Sequence, residues 1–201
     1  MSAIDTAPST FTGIALRMPN GGMTDEQFYQ FCMLNPDLRI ERTPDKIIEI
    51  MPPTNSETGK QNFTLSGEIY IWHKKNKLGE GFDSSTGFKL PNGAERSPDA
   101  AWISSERWNA IPKDKRQRFA PIAPDFVAEI RSSDQSLNHL KDKMEEYIEC
   151  GCQLAWLIDP KSRKTWVYQS NGDIHTIPFE EPLSGGDVMP GFEVRMADVF
   201  E

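Results

Sequence analysis

The chain has 201 residues, 37% of them hydrophobic and 26% charged, with a formal net charge of −8. Eleven Phe, five Trp and four Tyr can build a core, which excludes disorder throughout. No apolar run approaches the roughly 18 residues that a membrane-spanning helix needs. The length fits one compact domain. The first twenty residues lack the basic-then-apolar order of a signal peptide, and Cys32, Cys150 and Cys152 are too few and too scattered for a disulfide scaffold. The expectation is a cytoplasmic globular protein with no membrane partner.

A negative net charge argues against broad attraction to nucleic acid, but the charge is unevenly spread. Residues 171–201 carry seven acidic side chains against Arg195 alone. Basic clusters lie upstream, at Lys74, Lys75 and Lys77, at Lys113, Lys115, Arg116 and Arg118, and at Lys161, Arg163 and Lys164. Each can be a solvated surface or a phosphate contact, and charge alone does not choose.

In chain order, residues 1–20 read as a loose leader rich in Ser, Thr, Ala and Pro, ahead of a single domain over 21–201. Thr24 and Gln27 have capping-box spacing, so a helix follows, with Phe28, Phe31 and Cys32 on its apolar face and Pro36 ending it. Leu38 to Arg42 and Lys46 to Met51 form a hairpin around Thr43-Pro44-Asp45. A second helix runs from Glu57 to Lys77, burying Phe63, Ile69 and Tyr70 with Leu65 and Trp72, and closing at Gly79. Phe82 to Leu90 reads as a strand pair or a bent strand broken near Gly87. The apolar runs after Ser97-Pro98-Asp99 and Ala123-Pro124-Asp125 read as central strands covered on both faces. Ser133 and Asp134 cap a third helix through Cys150, on which Leu137, Leu140, Met144, Tyr147 and Ile148 share an arc of roughly 100°. Gln153 to Ile158, Thr165 to Gln169, Asp173 to Phe179 and Phe192 to Met196 are further strands. The order gives a mixed α/β core with antiparallel additions.

Familiar catalytic devices are missing. His73, His139 and His175 have no zinc-ligand spacing, Cys150-Gly-Cys152 is an isolated pair, and no glycine-rich nucleotide loop or nucleophile elbow occurs. What remains is acid within apolar strands. Glu129 stands inside Phe126-Val127-Ala128-Glu129-Ile130, where an ionised carboxylate is costly unless it is paired or bound to a cation. Asp99 opens the other apolar run. Two carboxylates at neighbouring strand ends are what a hard divalent ion requires, and an ion so held can activate water at a phosphorus centre. Arg131 and Lys143 are the nearby candidate cations. Lys143 lies about 40° outside the helix's apolar arc, beside Tyr147, and Lys141 flanks the opposite edge. By spacing alone this is a weak signal, and a strand salt bridge and an acidic strand start remain open readings.

A resemblance covers nearly the whole chain. Met23-Thr24, Phe28-Tyr29, Asn35-Pro36, Arg39-Ile40-Glu41, Met51-Pro52-Pro53-Thr54 and Glu57-Thr58-Gly59 are followed by Ser84-Ser85-Thr86-Gly87-Phe88, Leu90-Pro91 and Ser97-Pro98-Asp99-Ala100-Ala101-Trp102. Then come Pro124 to Ser132, Lys143-Met144, Tyr147, Gly151, Trp156 to Pro160, Leu183-Ser184-Gly185 and Pro190-Gly191-Phe192. In this order the phrases resemble the Uma-type family of putative restriction endonucleases. The resemblance implies a restriction-endonuclease-like core of helix, mixed central sheet, helix and strand, with an added N-terminal hairpin and C-terminal strands.

It further implies a PD-(D/E)xK site in which Asp99 and Glu129 ligate Mg²⁺ or Mn²⁺. The motif's lysine position after Glu129-Ile130 is Arg131, so Lys143 on the following helix becomes the catalytic cation, Arg being a poor proton carrier. Glu57 fits an accessory metal position or simply an acidic helix start. Asp125 shares a strand face with Glu129 and could join them; Glu41 receives no chemistry. The implied activity is DNA endonuclease, with a homodimer as a possible assembly. The rivals are a non-catalytic module of the same fold that binds nucleic acid or dimerises, and a metal-dependent hydrolase of a small phosphate ester.

Overall fold

The computed structural model describes residues 12–200. In chain order they form β1 (Ile14–Leu16), α1 (Asp25–Leu34), β2 (Arg39–Arg42), β3 (Ile48–Met51), α2 (Ser56–Asn76), β4 (Gly79–Asp83), β5 (Phe88–Lys89), β6 (Glu95–Arg96) and β7 (Ala100–Ser104). Two short helices follow, α3 (Ser105–Ala110) and α4 (Lys113–Arg116), then β8 (Phe126–Ile130), α5 (Leu137–Glu149) and β9 (Leu154–Asp159). The chain finishes with β10 (Lys164–Gln169), β11 (Ile174–Pro178), β12 (Pro182–Ser184), β13 (Glu193–Arg195) and α6 (Met196–Phe200).

The main sheet has six strands in the order β11-β10-β9-β8-β7-β4. Only β8 and β9 run parallel, and α5 supplies the crossover that a parallel pair requires. Strands β8 and β9 are buried along their whole length. Their near-continuous apolar sequence is therefore a consequence of cover on both faces. On one face, Leu65, Ile69 and Trp72 of α2 pack with Trp102, Phe126, Trp156 and the C-terminal Phe179, Phe192 and Met196. On the other, Leu140, Met144 and Tyr147 of α5 meet Ala101, Ile103, Val127 and Leu157. A five-stranded antiparallel sheet, β1-β3-β2-β6-β5, stands beside this core. The order α2, three antiparallel strands, α5 and parallel β9 is the core that the family resemblance implies.

Several sequence expectations meet their physical reasons here. The Thr24–Gln27 capping box forms as expected: Thr24 Oγ1 accepts from Gln27 N at 3.2 Å, and Gln27 Oε1 accepts from Thr24 N at 2.9 Å. Helix α2 buries Leu65, Ile69 and Trp72 as expected, but not Phe63 or Tyr70. Thr58, Gln61, Leu65, Ile69 and Trp72 face inward at helical spacing, whereas Phe63 is 81% exposed and Tyr70 60%. Phe63 lies two residues, about 200°, around the helix from Leu65, so aromatic size misled where period decides. Ser136, not Ser133 or Asp134, caps α5, its Oγ accepting from His139 N. The 82–90 segment divides between the two sheets as β4 and β5. Within the expected leader, residues 1–11 lie outside the described residues, but Ile14–Leu16 pair with Ile48–Ile50 as β1.

Gly79 opens β4 instead of closing α2, which ends on Lys77 in the left-handed region. A Cβ on Gly79 would stand 2.1 Å from the Ile103 carbonyl oxygen and 2.6 Å from the Trp102 ring. The strand therefore approaches β7 only because the side chain is absent. Gly79→Ala is expected to destabilise the fold by about 1–3 kcal/mol, read as a lower midpoint in urea. An unchanged midpoint would refute this account of the glycine.

Candidate active site

Strand alternation sets the first two acids. In β8, Phe126, Ala128 and Ile130 belong to the α2 face and Val127 to the α5 face. Glu129 alternates onto the α5 side. The antiparallel register of β7 and β8 places Ala100 opposite Ala128, and continuing it by one residue brings Asp99 level with Glu129. The Ile130 N–H donates to Asp99 Oδ2 at 2.9 Å, fixing one carboxylate to the strand of the other. Helix α5 runs over this end of the sheet with Leu140, Lys143, Met144 and Tyr147 buried. Lys143 Nζ lies 2.7 Å from Glu129 Oε1, and the Tyr147 hydroxyl donates to the same oxygen at 3.2 Å. Asp99, Glu129 and Lys143 are thus brought together.

The hairpin supplies residues whose roles the sequence did not disclose. Arg39 Nη2 donates to Asp99 Oδ1 at 3.1 Å and to the Ser97 carbonyl at 2.7 Å. Glu41 Oε1 accepts from Lys143 Nζ at 2.9 Å and from Ser97 N at 2.9 Å. Its Oε2 accepts from Arg96 Nη1 at 3.2 Å. Arg96 is itself held by Glu49 at 2.8 Å and Glu146 at 2.7 Å. From α2, Asn62 Nδ2 reaches Asp99 Oδ1 at 3.4 Å.

Burial and this charge pattern set the protonation. Desolvation pushes the Glu129 carboxyl up, reinforced by the negative charges of Asp99 and Glu41 and opposed by Lys143 and Arg39, to about 7. Burial pushes Glu41 the same way, but Lys143, Arg96 and Arg39 outweigh it and hold that carboxyl at about 2. Desolvation disfavours the Lys143 ammonium, yet Glu129 and Glu41 more than compensate and raise its pKa. The lysine is a fixed cation.

These groups border a pocket of about 260 Å³ whose walls include Arg39, Pro52, Asn55, Asp99, Glu129, Ser132 and Lys143. Thr12 adds to the wall and donates to the Asp134 carbonyl at 2.6 Å. The other candidates lie elsewhere. Glu57 borders an adjoining cleft with Arg131 and Lys161, and its largely exposed carboxylate is 3.8 Å from Lys60. The first turn of α2 carries it outward, so it does not join Asp99 and Glu129. Arg131 pairs with Asp159 at 3.1 Å and leaves Glu129 to Lys143. Asp125 sits about 13 Å along the strand from Glu129, accepting from Ser104 N at 2.7 Å, Arg107 at 2.6 Å and the Gln153 amide. Lys141 lies over the Trp166 ring. Of the three basic clusters, the third contributes Lys161 to the adjoining cleft, while Arg118 and Arg163 are engaged in exposed pairs with Glu26 and Glu180.

Among the described residues, no group of three or more His, Cys, Asp or Glu side chains forms a ready metal cage. Mg²⁺ does not need one, because it keeps several waters and is held by one or two carboxylates plus substrate oxygens. Asp99 and Glu129 supply that donor set. Asn62 Oδ1, on the side chain that touches Asp99, is buried without a hydrogen-bond partner. When ionised, five carboxylates (Asp99, Glu129, Glu41, Glu49, Glu146) face three cations (Arg39, Arg96, Lys143) in this network. The excess of two negative charges fits a divalent cation.

Comparison with known proteins agrees with this architecture. No curated protein matches the chain. A solved structure, described as a putative nuclease belonging to DUF820 from Anabaena variabilis, is similar over 89% of this chain and 97% of that one, with a TM-score of 0.73 and 21% identity. At that identity the likeness concerns the fold, which is restriction-endonuclease-like. The Uma2 family, whose description reads "Putative restriction endonuclease", matches residues 25–197. With most of its length so matched, the chain belongs to the Uma2 family.

Proposed function

We propose that the chain is a divalent-cation-dependent nuclease that hydrolyses DNA phosphodiester bonds at the Asp99, Glu129 and Lys143 pocket. One observation carries the reading: two carboxylates and an ammonium, far apart in sequence, border one cavity at the end of the main sheet. Asp99 and Glu129 would hold Mg²⁺ or Mn²⁺, which supplies an acidified water and neutralises charge at phosphorus. Asp99 needs no reorganisation for this, since Ile130 N and Arg39 already orient it. Lys143, kept charged by its carboxylate neighbours, orients the attacking water and offsets negative charge developing on the phosphate. Arg39, on the same wall, would contact a non-bridging phosphate oxygen. Lys161 in the adjoining cleft extends the positive track for the backbone.

A second reading is a nuclease-fold module without catalysis, and one observation favours it. Both candidate metal-binding acids already have a cation, Arg39 for Asp99 and Lys143 for Glu129. The same assay separates the two. With supercoiled DNA and Mg²⁺ or Mn²⁺, wild type is expected to cut, and Asp99→Asn, Glu129→Gln and Lys143→Met each to lose about 100-fold or more of the rate with unchanged circular dichroism. Equal cleavage by all four proteins removes the site assignment, and no cleavage by any of them favours the module.

The pH dependence follows from Glu129. A cation must displace its proton, so below the pKa of about 7 Mn²⁺ affinity is expected to fall about tenfold per pH unit. Above that pH it should level off. Binding measured by electron paramagnetic resonance from pH 5.5 to 8.5 checks this. A flat profile in that range is incompatible with Glu129 as a ligand.

A further inference from the structure

We propose that Glu41 is the positioning residue for Lys143, keeping its ammonium at the pocket when Glu129 turns to a cation; this rests on the nuclease reading above. Lys143 Nζ touches two carboxylates of different standing. Glu129 borders the pocket, and the Lys143 ammonium and the Tyr147 hydroxyl both meet it at Oε1. Glu41 is 1% exposed and does not border the pocket. It cannot touch substrate, and it acts through the lysine.

Glu41 is also the better anchored of the two. Its Oε1 takes a backbone N–H from Ser97, two residues before Asp99, and its Oε2 takes Arg96. Glu49 and Glu146 grip Arg96 in turn, tying the hairpin and α5 to the same guanidinium. Glu41 and Glu49 are directly opposite in the β2–β3 register, where two carboxylates would repel without the shared Arg96. Such a frame is stiff. If Glu129 gives its charge to a metal ion, a buried lysine with no other carboxylate would be left uncompensated, which is strongly unfavourable. With Glu41 fixed 2.9 Å away, Lys143 stays charged and in place without holding Glu129 back.

The test compares Mn²⁺ affinity in four proteins: wild type, Glu41→Gln, Lys143→Met and the double variant. Gln keeps the side-chain shape and an acceptor for Ser97 but removes the charge. Glu41→Gln is expected to weaken Mn²⁺ binding about fivefold or more, because Lys143 then depends on Glu129 alone. In the Lys143→Met background the same change should have no effect. Cleavage by Glu41→Gln should fall at least about tenfold in kcat with KM for DNA unchanged. Glu41→Asp, which keeps the charge and shortens the reach by one methylene, should shift both readouts in the same direction by less, and it serves where the Gln variant does not fold. Equal loss of Mn²⁺ affinity in both backgrounds, or none in either, overturns the role of Glu41. If wild type neither binds Mn²⁺ nor cuts DNA, the nuclease reading falls first and takes this inference with it. If wild type does both and Glu41→Gln matches it, only the inference fails.

Discussion

A glutamate in the middle of a strand that is covered on both faces must find a positive partner, and the arrangement around the pocket follows from that need. Glu129 is such a residue, 3% exposed within a wholly buried β8. The alternation that sends Phe126, Ala128 and Ile130 to one core sends Glu129 toward the other, beneath α5. The helix answers with a lysine at the edge of its apolar face, and burial makes that answer obligatory. A long aliphatic stem lets Lys143 pass among apolar neighbours while its ammonium reaches the carboxylates.

Around this pair the molecule builds outward in pairs of opposite charge, and the links are long in sequence. Lys143 reaches Glu41 across 102 residues, Arg39 reaches Asp99 across 60, and Arg96 reaches Glu49 across 47. The hairpin sheet is therefore more than an appendage to the main sheet. It delivers Arg39 to one acid and Glu41 to the lysine from alternate positions of the same strand. Buried ionic networks contribute little net stability compared with apolar packing, and this one leaves its acids in excess of its cations beside the pocket.

Which parts of this were legible follows from how local each signal is. Asp99 and Glu129 announce themselves because an acid within or beside an apolar run is conspicuous, and strand alternation plus register brings them level. From spacing, Lys143 is only a position just off a helical arc; the family resemblance singles it out, and its burial depends on Glu129 lying beneath it. Glu41 and Arg39 looked like ordinary hairpin residues, since nothing within ten residues of either explains it; their partners arrive from β7 and α5. Phe63 and Tyr70 misled for the opposite reason, because bulk was read as burial when Leu65, Ile69 and Trp72 carried the period. Glu57 occupied a favourable first turn of α2, and a favourable helix start says nothing about which way that turn faces.

Strand β1 shows how little composition says about a segment whose structure comes from its neighbour. Its three residues are exposed on every side chain, yet their backbone completes the ladder along the outer side of β3. Without them, β3 would offer a row of unpaired amides and carbonyls beside the hairpin that carries Arg39 and Glu41, the kind of open margin through which sheets recruit foreign strands. A three-residue ribbon, too short to template much pairing itself, works as a hem on that margin, and the stitch from Thr12 to Asp134 fastens its leading end to the rim of the cavity.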